Sequence, residues 1–165
     1  MKFYDAYNAQ YHTARVTNKS KKHMMKYLKF LRKRSRKMLD VGCGKGYYVR
    51  DAIDEGIDAY GIDTSTYALE NSLDEVKDRI TFGSLPEIPF GDQEFDVMAA
   101  AFDVIEHIHP KDTSNTVKEI CRVLKPDGII IITTPSTNFG GCVFDLTHIM
   151  SDHEDFGSLY LKSIN

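Results

Sequence analysis

Asp40-Val41-Gly42-Cys43-Gly44-Lys45-Gly46 is the part of this 165-residue chain whose residue types and spacing most plainly suit chemistry. Glycines at alternate positions let the backbone take positive φ and approach a ligand closely. Asp63 lies 21 residues beyond Gly42, where a carboxylate can accept from both hydroxyls of a ribose. A strand before the loop, a helix after it and an acid closing a second strand together point to a nucleoside-type ligand. A dinucleotide loop, G-x-G-x-x-G, would need glycine at 47, where Tyr47 stands. A phosphate loop of the G-x-x-x-x-G-K-[ST] type is absent, because Gly46 follows Lys45. Asp40 would also repel a pyrophosphate. Three cysteines, Cys43, Cys121 and Cys142, leave one unpaired and show no C-x-x-C spacing, which suits a reducing cytosol rather than a disulfide scaffold or structural zinc. His107, His109, His148, Asp152 and His153 carry metal-ligating groups, but they follow a proline-bounded loop and we assign no metal.

The elements that must position these residues follow from periodicity. Met38–Val41 reads as a buried strand, Tyr47–Glu55 as a helix with Val49, Ala52 and Ile53 inward, and Asp58–Asp63 as a second strand. Ser65–Val76 is expected as one helix, with Ala68, Leu69, Leu73 and Val76 on its inner face. Arg79–Phe82 is a third strand. Gly83–Glu94 carries Pro86, Pro89 and Gly91 and must be loop. Phe95–Ala101 is a fourth strand. A helix with Val117, Ile120, Cys121 and Leu124 inward ends before Pro126-Asp127-Gly128, and Ile129–Thr134, β-branched throughout, is a fifth strand. Alternating strands and helices predict an α/β fold with a parallel sheet covered on both faces. Upstream, Lys21–Arg34 reads as a basic amphipathic helix with Met24, Leu28 and Leu31 inward.

The size suits a single domain over residues 1–165. No apolar run approaches the roughly 20 residues of a membrane helix, and Met1–Asp5 has no signal-peptide character. A cytoplasmic protein is expected. The formal net charge of −3 hides an asymmetry of +11 over residues 1–39 against −14 over the rest, with ten basic residues in Lys19–Lys37. We favour a solvated helix face for this run; a footprint for RNA or another polyanion is the alternative.

Asp40–Gly46, with an acid two residues before G-x-G-x-G, resembles motif I of the class I S-adenosylmethionine-dependent methyltransferases. Arg79–Phe90 looks like that family's third strand and loop, Phe95-Asp96-Val97-Met98 like the opening of its fourth strand, and Phe102–Ile108 like the segment after it. Glu119–Gly128 is similar to its hydrophobic-L-K-P-G-G turn. The resemblance covers about residues 38–136 and implies a Rossmann-like doubly wound sheet of strand order 3-2-1-4-5. It implies S-adenosylmethionine as cofactor, with Asp40 attracting the ammonium of the methionine head and Gly42, Cys43, Gly44 and Gly46 cradling that head. Asp63 would take the ribose, Thr64 would lie against the adenine, and Ser84 and Leu85 would approach its edge. Ala101 and Phe102 would flank the sulfonium. Many relatives have Asp where Ser84 stands; a neutral acceptor there binds the adenine amino group more weakly. Phe3-Tyr4-Asp5 and Tyr11 resemble a lid segment, which makes Tyr11 a cofactor candidate, with a core aromatic as the other reading.

The same resemblance sets His107 near the transferred methyl group as a candidate base; a histidine packed at a helix start is the bland alternative. His148, in Asp145-Leu146-Thr147-His148-Ile149, resembles a substrate-facing histidine of small-molecule members. The DNA-amino, cytosine-C5 and arginine subfamilies are set aside, because N/D-P-P-Y/F, a Pro-Cys nucleophile and a second Glu beside Glu106 are missing. A small-molecule O or N acceptor is the default. RNA methylation and a non-catalytic cofactor-binding subunit are the alternatives. Residues 1–37 are read as lid and basic helix, 38–136 as the cofactor-binding core and 137–165 as a shortened C-terminal segment. In that segment the terminal antiparallel hairpin of the fold is missing or reduced. The fifth strand would then be an edge, covered by residues 139–150 or by a second copy in a homodimer.

Overall fold

The apolar run Met38–Val41 lies inside β1, Lys37–Val41, which the computed structural model places at the centre of the sheet. The structure describes residues 37–100, 104–132 and 162–163. After β1 come α1 (Tyr47–Asp54), β2 (Asp58–Asp63), α2 (Thr66–Glu70), β3 (Ile80–Phe82), β4 (Phe95–Ala100), α3 (Thr113–Val123), β5 (Leu124–Ile132) and β6 (Lys162–Ser163). Short 3-10 turns occupy Asp74–Val76, Ile105–His107 and Pro110–Asp112. The sheet order is β3-β2-β1-β4-β5-β6. The first five strands pair parallel, which is the 3-2-1-4-5 order expected.

Apart from the irregularity between Phe95 and Val97, alternate strand residues segregate to opposite faces, as strand periodicity requires. Met38, Ala59, Val97 and Ile131 pack with Tyr48, Val49 and Ala52 of α1. Leu39, Val41, Ile62, Phe95, Met98 and Ile130 pack with Ile120 and Val123 of α3. Both faces are therefore buried, and the strand ends project the glycine loop, Asp63 and the segment after β4 from one edge. Among the described residues no helix is long and apolar enough to cross a membrane.

Three expectations are corrected. The Ser65–Val76 helix stops at Glu70. Leu73 N–H donates to Lys45 O, 3.1 Å away in the glycine loop, instead of continuing the helical ladder. On α3 the buried stripe is Thr116, Ile120 and Val123, while Val117 and Cys121 face solvent. A threonine methyl can fill a core position, and Thr116 rotates the face by about one residue. Finally, β5 starts at Leu124 rather than Ile129. Phe95 pairs with Leu124 and Val97 with Ile129, so Lys125–Gly128 bulges out of the ladder. Asp127 there takes φ 63, the left-handed conformation that the glycine-rich version of this turn favours.

The open edge expected at β5 is also narrower than read. β6 pairs antiparallel with it, Ser163 opposite Ile129 and Lys162 opposite Ile130. The described part of the terminal hairpin is this single two-residue strand.

Candidate functional site

Gly42 and Cys43 N–H both donate to Ile62 O, at 2.8 and 3.0 Å, which fastens the glycine loop to the end of β2. Gly46 N–H donates to Cys43 O at 3.0 Å and closes the turn into α1. Gly42 has φ 78 and Gly46 φ 81. A Cβ at Gly42 would lie 2.5 Å from Val104 Cγ2, and one at Gly46 would lie 2.6 Å from Val76 Cγ2. Both glycines are therefore required by φ and by space. Gly42 is exposed between buried Val41 and Cys43, so the open tip of the loop is bare backbone, available to a ligand.

Asp63 braces this loop. Its Oδ2 accepts from Gly44 N–H at 2.7 Å and its Oδ1 from Ser65 N–H at 2.7 Å. Each carboxylate oxygen keeps a second acceptor site, so the pair of ribose hydroxyls can still be bound. Ser65 then caps α2, its Oγ accepting from Ala68 N–H at 3.1 Å. Thr64, between them, is half-buried.

Asp40 is almost fully buried at the end of β1. Burial pushes its carboxyl well above the usual range, and the charge of Asp63 pushes it further. A cation placed beside this carboxyl would favour its ionised form and pair with it. The methionine-head ammonium implied by the glycine loop supplies one, so the residues present fit S-adenosylmethionine. The thiol of Cys43 is likewise raised by burial, then by Asp40 and Asp63, which makes it a packing group rather than a nucleophile. It packs against β2, where a Cβ at Gly61 would come within 2.6 Å of Cys43 Cβ. Gly61 was missed by sequence reasoning, although a glycine inside a strand does signal close backbone approach.

Ser84 and Leu85 sit in the turn after β3, where Glu87 N–H donates to Ser84 O at 2.9 Å and Ser84 N–H donates to Glu87 O at 3.3 Å. Gly83 N–H donates to Asp63 O at 3.2 Å, which ties this turn to the end of β2. His107 closes the turn that starts at Val104, the residue packed against Gly42; its N–H donates to Val104 O at 3.1 Å. The histidine is thus carried on the segment lying against the glycine loop. His109 is engaged otherwise, its Nδ1 accepting from Lys111 N–H at 3.2 Å. The structure brings Asp40, Gly42, Cys43, Gly44, Gly46, Asp63, Thr64, Ser84, Leu85 and His107 to the same edge of the sheet. Tyr11, Ala101, Phe102 and His148 lie outside the described residues.

Comparison with known proteins identifies the family of the chain. The Methyltransferase domain family profile matches residues 39–132. A probable S-adenosylmethionine-dependent methyltransferase of Mycolicibacterium smegmatis is 34% identical over 106 residues, 61% of this chain and 38% of that one. Phosphoethanolamine N-methyltransferase 2 of Caenorhabditis elegans is 34% identical over 110 residues, 62% of this chain and 24% of that one. The crystal structure of the PH0226 protein from Pyrococcus horikoshii OT3 superposes with a TM-score of 0.59 at 29% identity, covering 69% of this chain and 56% of that one. The chain spans well under half the length of these two sequence relatives. With the family profile covering more than half of its residues and the glycine loop, Asp40 and Asp63 in place, the chain belongs to the class I S-adenosylmethionine-dependent methyltransferases.

Proposed function

We propose that this chain transfers a methyl group from S-adenosylmethionine to an oxygen or nitrogen of a small-molecule acceptor in the cytoplasm. The observation that carries the reading is the buried Asp40 carboxyl beside a glycine loop that Asp63 braces. When bound, the cofactor supplies an electrophilic methyl on a sulfonium. Asp40 holds the ammonium of its head. Asp63 receives the ribose hydroxyls while keeping Gly44 in place. Thr64, Ser84 and Leu85 receive the adenine. His107 accepts the proton that an acceptor hydroxyl or ammonium must lose. Much of the rate enhancement then comes from positioning, since the methyl group arrives activated. Tyr11 is proposed as a lid over the methionine carboxylate, Ala101 and Phe102 as neighbours of the sulfonium, and His148 as a substrate contact. The small-molecule acceptor is supported by the absent DNA and protein subfamily motifs and by the named substrate of the nematode relative.

Isothermal titration tests the cofactor half. S-adenosylhomocysteine should bind with a micromolar dissociation constant and NAD should not. Saturable NAD binding with none of the methyl donor's product overturns the reading. Salt-dependent RNA binding through Lys19–Lys37 would move the acceptor to a polyanion. Cofactor binding without turnover, restored by a co-purifying chain, would make it a non-catalytic subunit. A homodimer is proposed for the remaining β5 edge. Sedimentation velocity at micromolar concentration should show a dimer, and a monomer refutes it.

A further inference from the structure

We propose that Glu119 and Arg122 of α3 are positioning residues that hold the turn of Ser84 and Leu85 at the adenine end of the cofactor. The proposal rests on the reading that these two residues face the adenine.

All five N–H groups of the Arg122 guanidinium are engaged. Nε donates to Glu119 Oε2 at 2.9 Å, and Nη2 donates to Glu119 Oε1 at 2.8 Å and to Ile88 O at 3.0 Å. Nη1 donates to Phe90 O at 2.9 Å and to Asp92 Oδ1 at 2.7 Å. Glu119 Oε1 also accepts from Ile88 N–H at 2.9 Å. The pair therefore satisfies both backbone groups of Ile88 and one of Phe90. Gln93 and Glu94 N–H add bonds to Arg122 O and Val123 O, at 2.7 and 2.9 Å.

The consequence is positional. Gly83 is bonded to Asp63 on one side of the turn and Ile88 to Glu119 and Arg122 on the other. Only Ser84–Glu87 lies between these anchors, closed on itself by its reciprocal bonds. A half-exposed ion pair by itself contributes little. Here the guanidinium fork reaches two loop carbonyls that lie about 30 residues from it in sequence. Lysine, a point charge without a planar fork, cannot make this set of bonds.

Titrations with S-adenosylhomocysteine and with its purine analogue lacking the 6-amino group test the proposal. The parent should prefer the amino-bearing ligand. Arg122→Lys should weaken that ligand about fivefold, the scale of one neutral hydrogen bond, and leave the analogue nearly unchanged, so the preference collapses. Glu119→Gln should act in the same direction and less, and it stands as the independent check if Arg122→Lys does not fold. Equal weakening of both ligands, or no weakening, overturns the proposal. A parent that binds both equally overturns the adenine placement and the proposal with it. A parent that binds neither overturns the cofactor reading itself.

Discussion

Asp40→Asn should make the ligand-free protein more stable at neutral pH while weakening S-adenosylhomocysteine binding roughly thirtyfold, or about 2 kcal/mol. The two effects have one cause. Asp40 is buried with its carboxyl raised by desolvation and then by Asp63. The folded protein therefore keeps this proton over a pH range in which the unfolded chain has already lost it. Stability then falls as pH rises from the ordinary aspartate value through the raised one. Asparagine has nearly the same shape and no charge, so the loss disappears. Thermal midpoints of parent and variant should converge below about pH 4, where both states of the parent are protonated. Ligand binding runs the other way. The ammonium needs the carboxylate ionised, so parent affinity should rise with pH through the raised value, while the variant's stays flat. A variant as tight-binding as the parent, or less stable at pH 7, removes Asp40 from the cation site.

Asp63→Ala should cost more in binding than the ribose contacts alone. Those are worth about 1.5–3 kcal/mol as charge-assisted bonds. The same carboxylate holds Gly44 and Ser65 N–H, so alanine also releases the middle of the glycine loop and the approach to α2. We expect a loss of at least a hundredfold in affinity together with a lower thermal midpoint. Asp63→Asn should not rescue it, because the amide must aim its NH2 at the Gly44 or the Ser65 donor. Titration and calorimetry on both variants check this. Parent-like affinity in Asp63→Ala refutes the ribose assignment.

Apolar runs and punctuation made most of this fold legible. Met38–Val41 was legible because a strand buried on both faces reads as a short apolar run, and Asp58–Asp63 because Ala59, Tyr60 and Ile62 stand between polar ends and after Gly56. The glycine loop and Asp63 were legible because ligand approach demands residues without side chains beside a residue with charge. What escaped depends on partners distant in sequence. The break after Glu70 comes from a bond between Leu73 and Lys45. Thr116 counts as polar by type, yet it is buried on α3. Asp63 as brace, and Arg122 with Glu119 as holders of the 88–94 loop, involve backbone groups that no side-chain pattern displays.

Cys43 and Gly61 share a single side-chain volume. With 2.6 Å between Cys43 Cβ and the place where a Gly61 Cβ would stand, the two positions cannot both carry one. Alanine at 61 requires Cys43 to give way, and Val49 Cγ2, 3.0 Å from the same Cβ position, must shift as well. This contact joins the strand that ends at Asp63 to the glycine loop. A side chain at position 61 is therefore excluded while Cys43 and Val49 keep their places. The shape of the cofactor loop is inherited together with a bare position in the neighbouring strand, whatever the rest of the sheet becomes.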